Sequence, residues 1–296
     1  MISKIKKLKV GKVIEKPLMK NYTTYKVGGE ALCMVFPNSV NSLIKLIEFL
    51  KKNNIKYKVL GNGSNVIFKD EYYDGVIIKL SSLDSLDIKD TVVTVGAGYN
   101  LIKLALKTAS LGLTGLEFAS GIPGTVGGAV FMNAGAYKSD MGYVVSEVKV
   151  LNPSLEVETL YNRDLEFHYR TSFLKTHPGY ICLEAKIVLR HGTAKAIMSV
   201  IEDRKQRRLM SQPLEYPSAG SVFRNPENDY AGRLIESIGY KGFNINGACV
   251  SEKHANFIIN KGGATSNDIK KLISEIQTKV KEKYNIDLIL EQEIIE

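Results

Sequence analysis

The sequence predicts an α+β protein of two or three domains. Three observations lead there. The chain has 296 residues, more than one hydrophobic core usually organises. Segments with apolar residues at three-and-four spacing are interspersed with short extended apolar runs. The texture changes after Met210, where Gln212-Pro213-Leu214-Glu215-Tyr216-Pro217 favours extended chain because each proline disfavours a helical predecessor.

The elements follow in order. Leu43, Ile44, Ile47 and Leu50 predict a helix over 39–52, with Ser39 or Asn41 as its cap and Lys51 and Lys52 suited to its C-terminus. A strand is expected at 56–60, an extended apolar stretch at 66–68, and further strands at 75–80 and 91–96. Asn100 can cap a helix over 100–111 that buries Leu101, Leu104, Ala105 and Leu111 and stops at Gly112. Strands at 144–151, 155–160 and 181–190 and a polar helix at 194–210 come next. Beyond the expected boundary lie a helix near 230–238 ended by Gly239, a turn at Asn246-Gly247 and a strand at 254–259. A long helix capped by Ser266 and buried through Ile269, Leu272, Ile273, Ile276, Val280 and Tyr284 precedes a last strand at 286–295.

Composition narrows the function. Hydrophobic residues at 44% and charged residues at 24% fit an ordinary globular chain and exclude disorder and collagen. The longest uncharged window, 118–137, holds five glycines, a proline, Ser120, Thr125 and Asn133, so it reads as glycine-rich loops and no membrane insertion is expected. The basic N-terminus lacks the apolar stretch of a signal peptide. Cys33, Cys182 and Cys249 are far apart and show no metal spacing, so no metal site and a reducing cytoplasm are expected. A net charge of +9 suggests anionic partners, and all eight arginines stand at or beyond Arg163. Guanidinium groups fix carboxylates and phosphates well, so an anionic substrate is expected on the C-terminal half.

Several motifs could carry chemistry. Gly61-Asn62-Gly63-Ser64-Asn65 follows a strand, where bare backbone amides can turn toward a phosphate, although the Rossmann spacing and the Walker lysine are both absent. Gly121-Ile122-Pro123-Gly124-Thr125-Val126-Gly127-Gly128-Ala129 concentrates glycine where a ligand would approach the main chain closely. Together the two loops could hold a pyrophosphate with almost no charged side chains. Ser218-Ala219-Gly220-Ser221-Val222-Phe223-Arg224-Asn225-Pro226 sets a hydroxyl beside glycine, but no serine-hydrolase pattern accompanies it. Glu291 and Glu293 share one face of a terminal strand, and alternation does not choose between them.

In order and spacing these motifs resemble the UDP-N-acetylenolpyruvoylglucosamine reductase family. The likeness adds Asn21-Tyr22-Thr23-Thr24-Tyr25-Lys26-Val27-Gly28-Gly29, Asn133-Ala134-Gly135-Ala136-Tyr137, Tyr169-Arg170-Thr171-Ser172 and His254-Ala255-Asn256-Phe257-Ile258-Ile259-Asn260, and runs through nearly the whole chain. It implies FAD in a two-part domain of the vanillyl-alcohol-oxidase type, residues 1–80 and 81–210, followed by a smaller α+β substrate domain, 211–296. It implies hydride transfer from NADPH through the flavin to the enolpyruvyl group of a UDP-sugar in peptidoglycan precursor synthesis. By the same resemblance, residues 61–65 together with Gly121, Ile122, Pro123, Gly124, Thr125, Gly127 and Gly128 hold the cofactor. Ser221 is the proton donor, Arg170 and Glu293 stabilise and orient the reacting carboxylate, and Tyr137, Tyr169 and Asn225 contact substrate. The short run from Ser172 to Arg190 matches the branch that lacks a tyrosine-bearing insertion.

The terminal Ile294-Ile295-Glu296 departs from the family's usual basic residue and apolar-glycine ending and keeps Glu291 as an alternative carboxylate. A monomer is expected. The rival readings are an oxidase or dehydrogenase of an alcohol or hydroxy acid on the same flavin fold and a basic nucleic-acid-binding protein. The absence of Trp and of a binding motif, with lysines spread along the chain, stands against the second.

Overall fold

The computed structural model describes residues 1–296 and divides into two compact units. The first comprises Met1–Glu15, Cys33–Asn62 and Gly75–Gln206; the second comprises Lys16–Leu32, Gly63–Asp74 and Arg207–Glu296. The chain crosses between them inside the first glycine loop, so Gly61 and Asn62 belong to one unit and Gly63, Ser64 and Asn65 to the other.

The first unit is built on two sheets. One runs in the order Gly11–Glu15, Ala31–Pro37, Tyr73–Ile78, Lys56–Val59. Its first pair is antiparallel, with Glu15 opposite Cys33, and its last pair is parallel, with Val59 opposite Ile78. The helix Val40–Lys52 starts where expected: the Ser39 hydroxyl accepts from Ser42 N at 3.1 Å, and Leu43, Leu46, Ile47 and Leu50 are buried. The other sheet is antiparallel throughout, in the order Val157–Tyr161, Val145–Leu151, Ile181–Val188, Val92–Gly96, Leu86–Lys89.

Asn100 caps the helix Leu101–Ser110, its side chain accepting from Lys103 N at 2.9 Å. The expected stripe is corrected at one position. Gly112 adopts a left-handed φ of 73° and ends the helix early, so Leu111 stands 52% exposed, and Thr108 and Ala109 are buried instead. The polar helix Ala194–Ser211 buries only Ile197 and Ile201, against Ala109.

The second unit has one hydrophobic core, drawn from Tyr25, Ile67, Val222, Phe223, Leu234, Ile258, Leu272 and Ile276 among others. Around it lie the sheet Asn244–Ile245, Ala248–Val250, Ile258–Asn260, the helices Ala231–Ser237 and Ser266–Tyr284, and a parallel pairing of Glu293–Ile295 with Val66–Phe68. The turn at Asn246-Gly247 is present, with Asn246 left-handed at 48°.

Three expectations shift here. The long helix is capped by Thr265, in a reciprocal pair with Asp268, and not by Ser266, whose hydroxyl and N–H both bond Asp70. The strand expected from 254 begins at Ile258, because the preceding residues turn so that the Asn256 side chain can bond a neighbouring segment. The strand expected over 286–295 is regular only at Glu293–Ile295, with an isolated bridge from Leu290 to Phe223 before it. No helix is long and apolar enough to cross a membrane.

Candidate active site

In the first unit the two glycine segments meet. Gly61 follows the strand Lys56–Val59, and a Cβ placed on it would lie 2.8 Å from the Thr125 hydroxyl. Asn62 donates from its carboxamide to the Pro123 carbonyl at 3.3 Å. A side chain at 61 would therefore have to displace the Thr125 hydroxyl.

The second segment is more regular than a loop. Gly121 closes a short 3₁₀ turn, the Ile122 carbonyl accepts from Gly124 N at 2.8 Å, and Thr125 caps a helix, Val126–Met132, by accepting from Gly128 N at 3.3 Å. Gly127 lets that helix lie against Ala97, to whose carbonyl it donates at 2.8 Å. Gly124 is different in kind: a Cβ there would meet no protein atom within 4 Å. It leaves open space beside half-buried main chain, the shape a close-lying ligand requires.

Past this helix the chain doubles back. Asn133, left-handed at 42°, donates to the His168 carbonyl at 2.9 Å and accepts from Gly142 N at 2.9 Å. The pairs Gly135–Ala136 and Ser139–Asp140 are joined by a two-residue turn of Tyr137 and Lys138, both left-handed. Tyr137 is exposed but anchored, its hydroxyl donating to the Arg204 carbonyl at 3.0 Å while the Arg204 guanidinium lies 4.8 Å above its ring.

Tyr169 and Arg170 form a comparable turn between His168 and Thr171, which exchange two backbone hydrogen bonds of 3.1 Å. Arg170 holds φ of 56°, strain of about 1–3 kcal/mol for a non-glycine residue. Its guanidinium donates to the Gly135 carbonyl at 2.9 Å and lies 5.1 Å from the Tyr169 ring. Arg170 is thus aimed by the same 133–142 segment that carries Tyr137.

In the second unit, Gly63 completes the first glycine loop at a left-handed φ of 66°, with the Tyr22 carbonyl 2.3 Å from where a Cβ would stand. Ser64 follows it, half-buried, and Asn65 then grips the C-terminal strand twice. Its carboxamide donates to the Glu291 carbonyl at 3.1 Å, and its own carbonyl accepts from Glu293 N at 2.9 Å. Glu291 and Glu293 are both half-buried while Gln292 between them is buried.

Ser221 lies on the neighbouring segment. Glu291 N donates to the Val222 carbonyl at 2.8 Å, and the Gln292 carboxamide donates to the carbonyls of Ala219 and Gly220, each at 3.1 Å. Gly220 is left-handed at 74°, so the chain turns sharply immediately before the Ser221 hydroxyl. Asn225 accepts from Ala231 N at 3.1 Å and thereby holds the start of the helix Ala231–Ser237.

The structure therefore brings Ser221 together with the strand of Glu291 and Glu293 in the second unit. It brings Arg170 together with Tyr137 and Tyr169 in the first. Sequence reasoning gave no role to Asn256, Gln292 or Asn133, whose side chains hold these segments, because a buried carboxamide bonded to main chain has no pattern of its own. No group of His, Cys, Asp or Glu is arranged to hold a metal ion. The three cysteines are buried and unpaired, and burial pushes the thiols of Cys33 and Cys182 up to about 11 and about 12, far from reactive thiolates.

Residues 31–161 match an FAD binding domain, and residues 212–295 match the C-terminal domain of UDP-N-acetylenolpyruvoylglucosamine reductase. The chain is 46% identical to the UDP-N-acetylenolpyruvoylglucosamine reductase of Anoxybacillus flavithermus over 97% of this chain and 95% of that protein. With the Bacillus subtilis protein of the same name it shares 44% identity over 100% of this chain and 98% of the relative. The crystal structure of the Thermus caldophilus reductase superposes with a TM-score of 0.83 at 34% identity, covering 96% of this chain and 98% of that one.

Proposed function

The chain belongs to the UDP-N-acetylenolpyruvoylglucosamine reductase family and is an FAD-dependent oxidoreductase of peptidoglycan precursor synthesis, and from that premise we propose how its own residues divide the reaction. The substrate is the enolpyruvyl ether of a UDP-sugar and the reductant is NADPH. The enzyme works as a cytoplasmic monomer.

The glycine segments fit the cofactor. Gly61 against Thr125, the open space at Gly124 and the close backbone of residues 121–128 accommodate a flat, phosphate-bearing group without side chains in its way. Bound FAD supplies the hydride that adds to the enolpyruvyl β-carbon.

The protein's work is charge and proton control. As hydride arrives, a second negative charge develops on the substrate carboxyl, and hydrogen bonds from the Arg170 guanidinium strengthen with it. Glu293 orients that carboxyl. The Ser221 hydroxyl donates a proton to the α-carbon, which a neutral alcohol can do because the enediolate is strongly basic. Asn225, Tyr137 and Tyr169 hold the remainder of the substrate, Tyr137 by covering the nucleotide.

One observation carries this reading: the bond from Glu291 N to the Val222 carbonyl sets the serine segment beside the glutamate strand, as a proton donor and a charge-stabilising carboxylate require. An anaerobic absorbance trace tests it. Adding NADPH should bleach the flavin band, and adding the UDP-enolpyruvyl sugar should restore it. A band that bleaches and stays bleached would discard the substrate.

A further inference from the structure

Lys79 directly follows the strand Tyr73–Ile78, whose parallel partner Lys56–Val59 leads into Gly61. Parallel strands that end together present their ligand-binding edge at those C-terminal ends. The lysine backbone is fixed there by a 2.9 Å hydrogen bond from its N–H to the Val35 carbonyl, and its ammonium donates to the Gly61 carbonyl.

That carbonyl is the only protein group the ammonium bonds. An ammonium carries three donors, so two remain for something the chain does not supply. No charged side chain acts on it. Burial alone holds its pKa down to about 8. Neither glycine segment, 61–65 nor 121–128, contains a lysine or arginine, so this is the cation they have at hand.

We propose that Lys79 is a cofactor ligand, its ammonium shared between the Gly61 carbonyl and the pyrophosphate of FAD. The proposal rests on the reading of the two glycine segments as the cofactor contacts. It accounts for a part-buried, singly bonded cation at a strand end: the charge that burial disfavours is the charge that a doubly anionic pyrophosphate stabilises.

The test is the FAD dissociation constant of the holoenzyme. It is read by serial dilution with the fluorescence of released flavin, from about pH 6.5 to about pH 9.5. Phosphate raises the lysine's pKa, so above about 8 binding takes up a proton and weakens as pH rises. Lys79→Gln should raise the constant about 10- to 100-fold at neutral pH, the worth of a charged hydrogen bond, and remove that pH dependence. Lys79→Arg keeps the charge and should recover affinity with a flat profile.

A Gln variant that binds FAD as tightly as the parent, or weakly but with the parental pH profile, would make the lysine a brace for the Gly61 turn and overturn the proposal. Gly124→Ala reads the loop assignment separately, because its Cβ meets no protein atom. Weaker FAD in Gly124→Ala with none in Lys79→Gln keeps the loops and rejects the lysine. No weakening in either rejects both.

Discussion

One side chain, that of Asn256, satisfies both main-chain groups of Phe223. Its carboxamide oxygen accepts from Phe223 N at 3.0 Å and its nitrogen donates to the Phe223 carbonyl at 2.8 Å, in a part of the core where both residues are buried. The Asn256 carbonyl also accepts from Val222 N at 2.9 Å, so the residues after Ser221 are held as if by a neighbouring strand. Replacing Asn256 with Ala strands a buried N–H and C=O together. The expected loss is about 2–4 kcal/mol, measured by urea unfolding. Asn256→Asp should cost at least as much, because it sets an acceptor against the Phe223 carbonyl; a loss below about 0.5 kcal/mol in either would mean that the strand contacts alone hold the segment.

His254 makes that same turn pH-sensitive. Its Nδ1 accepts from Asn256 N at 3.2 Å, and burial holds its pKa below the usual imidazole value. The unfolded chain therefore binds a proton more readily than the folded one. Stability from this group is complete above the unfolded value of about 6.5 and falls as pH drops toward the lower folded value. In His254→Gln, unfolding free energy measured from about pH 8 to about pH 5 should decline less steeply than in the parent. Parallel curves would show that other groups carry the acid sensitivity.

How much of this was readable beforehand follows from what kind of contact each element makes. The helices Val40–Lys52 and Leu101–Ser110 were legible because a cap, a spaced apolar stripe and a stop signal coincide in each. The strands Gly11–Glu15 and Ala31–Pro37 were not foreseen. The first is short and half-exposed, and the second is buried on nearly every residue, so neither alternates. The helix Val126–Met132 hid among glycines, whose low helix propensity is overridden by packing of Gly127 on Ala97. The candidate site residues came from the resemblance and from motif chemistry. Lys79, Asn256 and Gln292 remained invisible because their meaning lies in partners far along the chain, such as Gly61 for Lys79 and Phe223 for Asn256.

Gly63 tests how rigidly the first glycine loop is built. Its φ of 66° is costly for any side chain, and a Cβ would stand 2.3 Å from the Tyr22 carbonyl, an impossible contact with main chain. The same glycine's carbonyl accepts from Thr24 N at 3.0 Å, so the loop cannot shift away without breaking that bond. Gly63→Ala should lose about 1–3 kcal/mol or more of stability. Thermal unfolding of the apoprotein isolates this from any loss of flavin affinity; an unchanged midpoint would show the loop to be pliable.

The last prediction separates the proton donor from the carboxylates. Gln292 pins the carbonyls of Ala219 and Gly220, so the Ser221 backbone should stay in place when its hydroxyl is removed. Ser221→Ala is then expected to keep flavin binding and the rate of flavin reduction by NADPH, while reoxidation by the enolpyruvyl sugar falls by a factor of about 100 or more, the range of general acid catalysis. Equal loss of both half-reactions would make Ser221 structural. Glu291 and Glu293 are anchored through main chain to Asn65, so exchanging either carboxylate for an amide leaves the strand bonded. If Glu293 acts on the substrate, Glu293→Gln should slow reoxidation in stopped flow far more than Glu291→Gln does. The reverse order would move the role to Glu291.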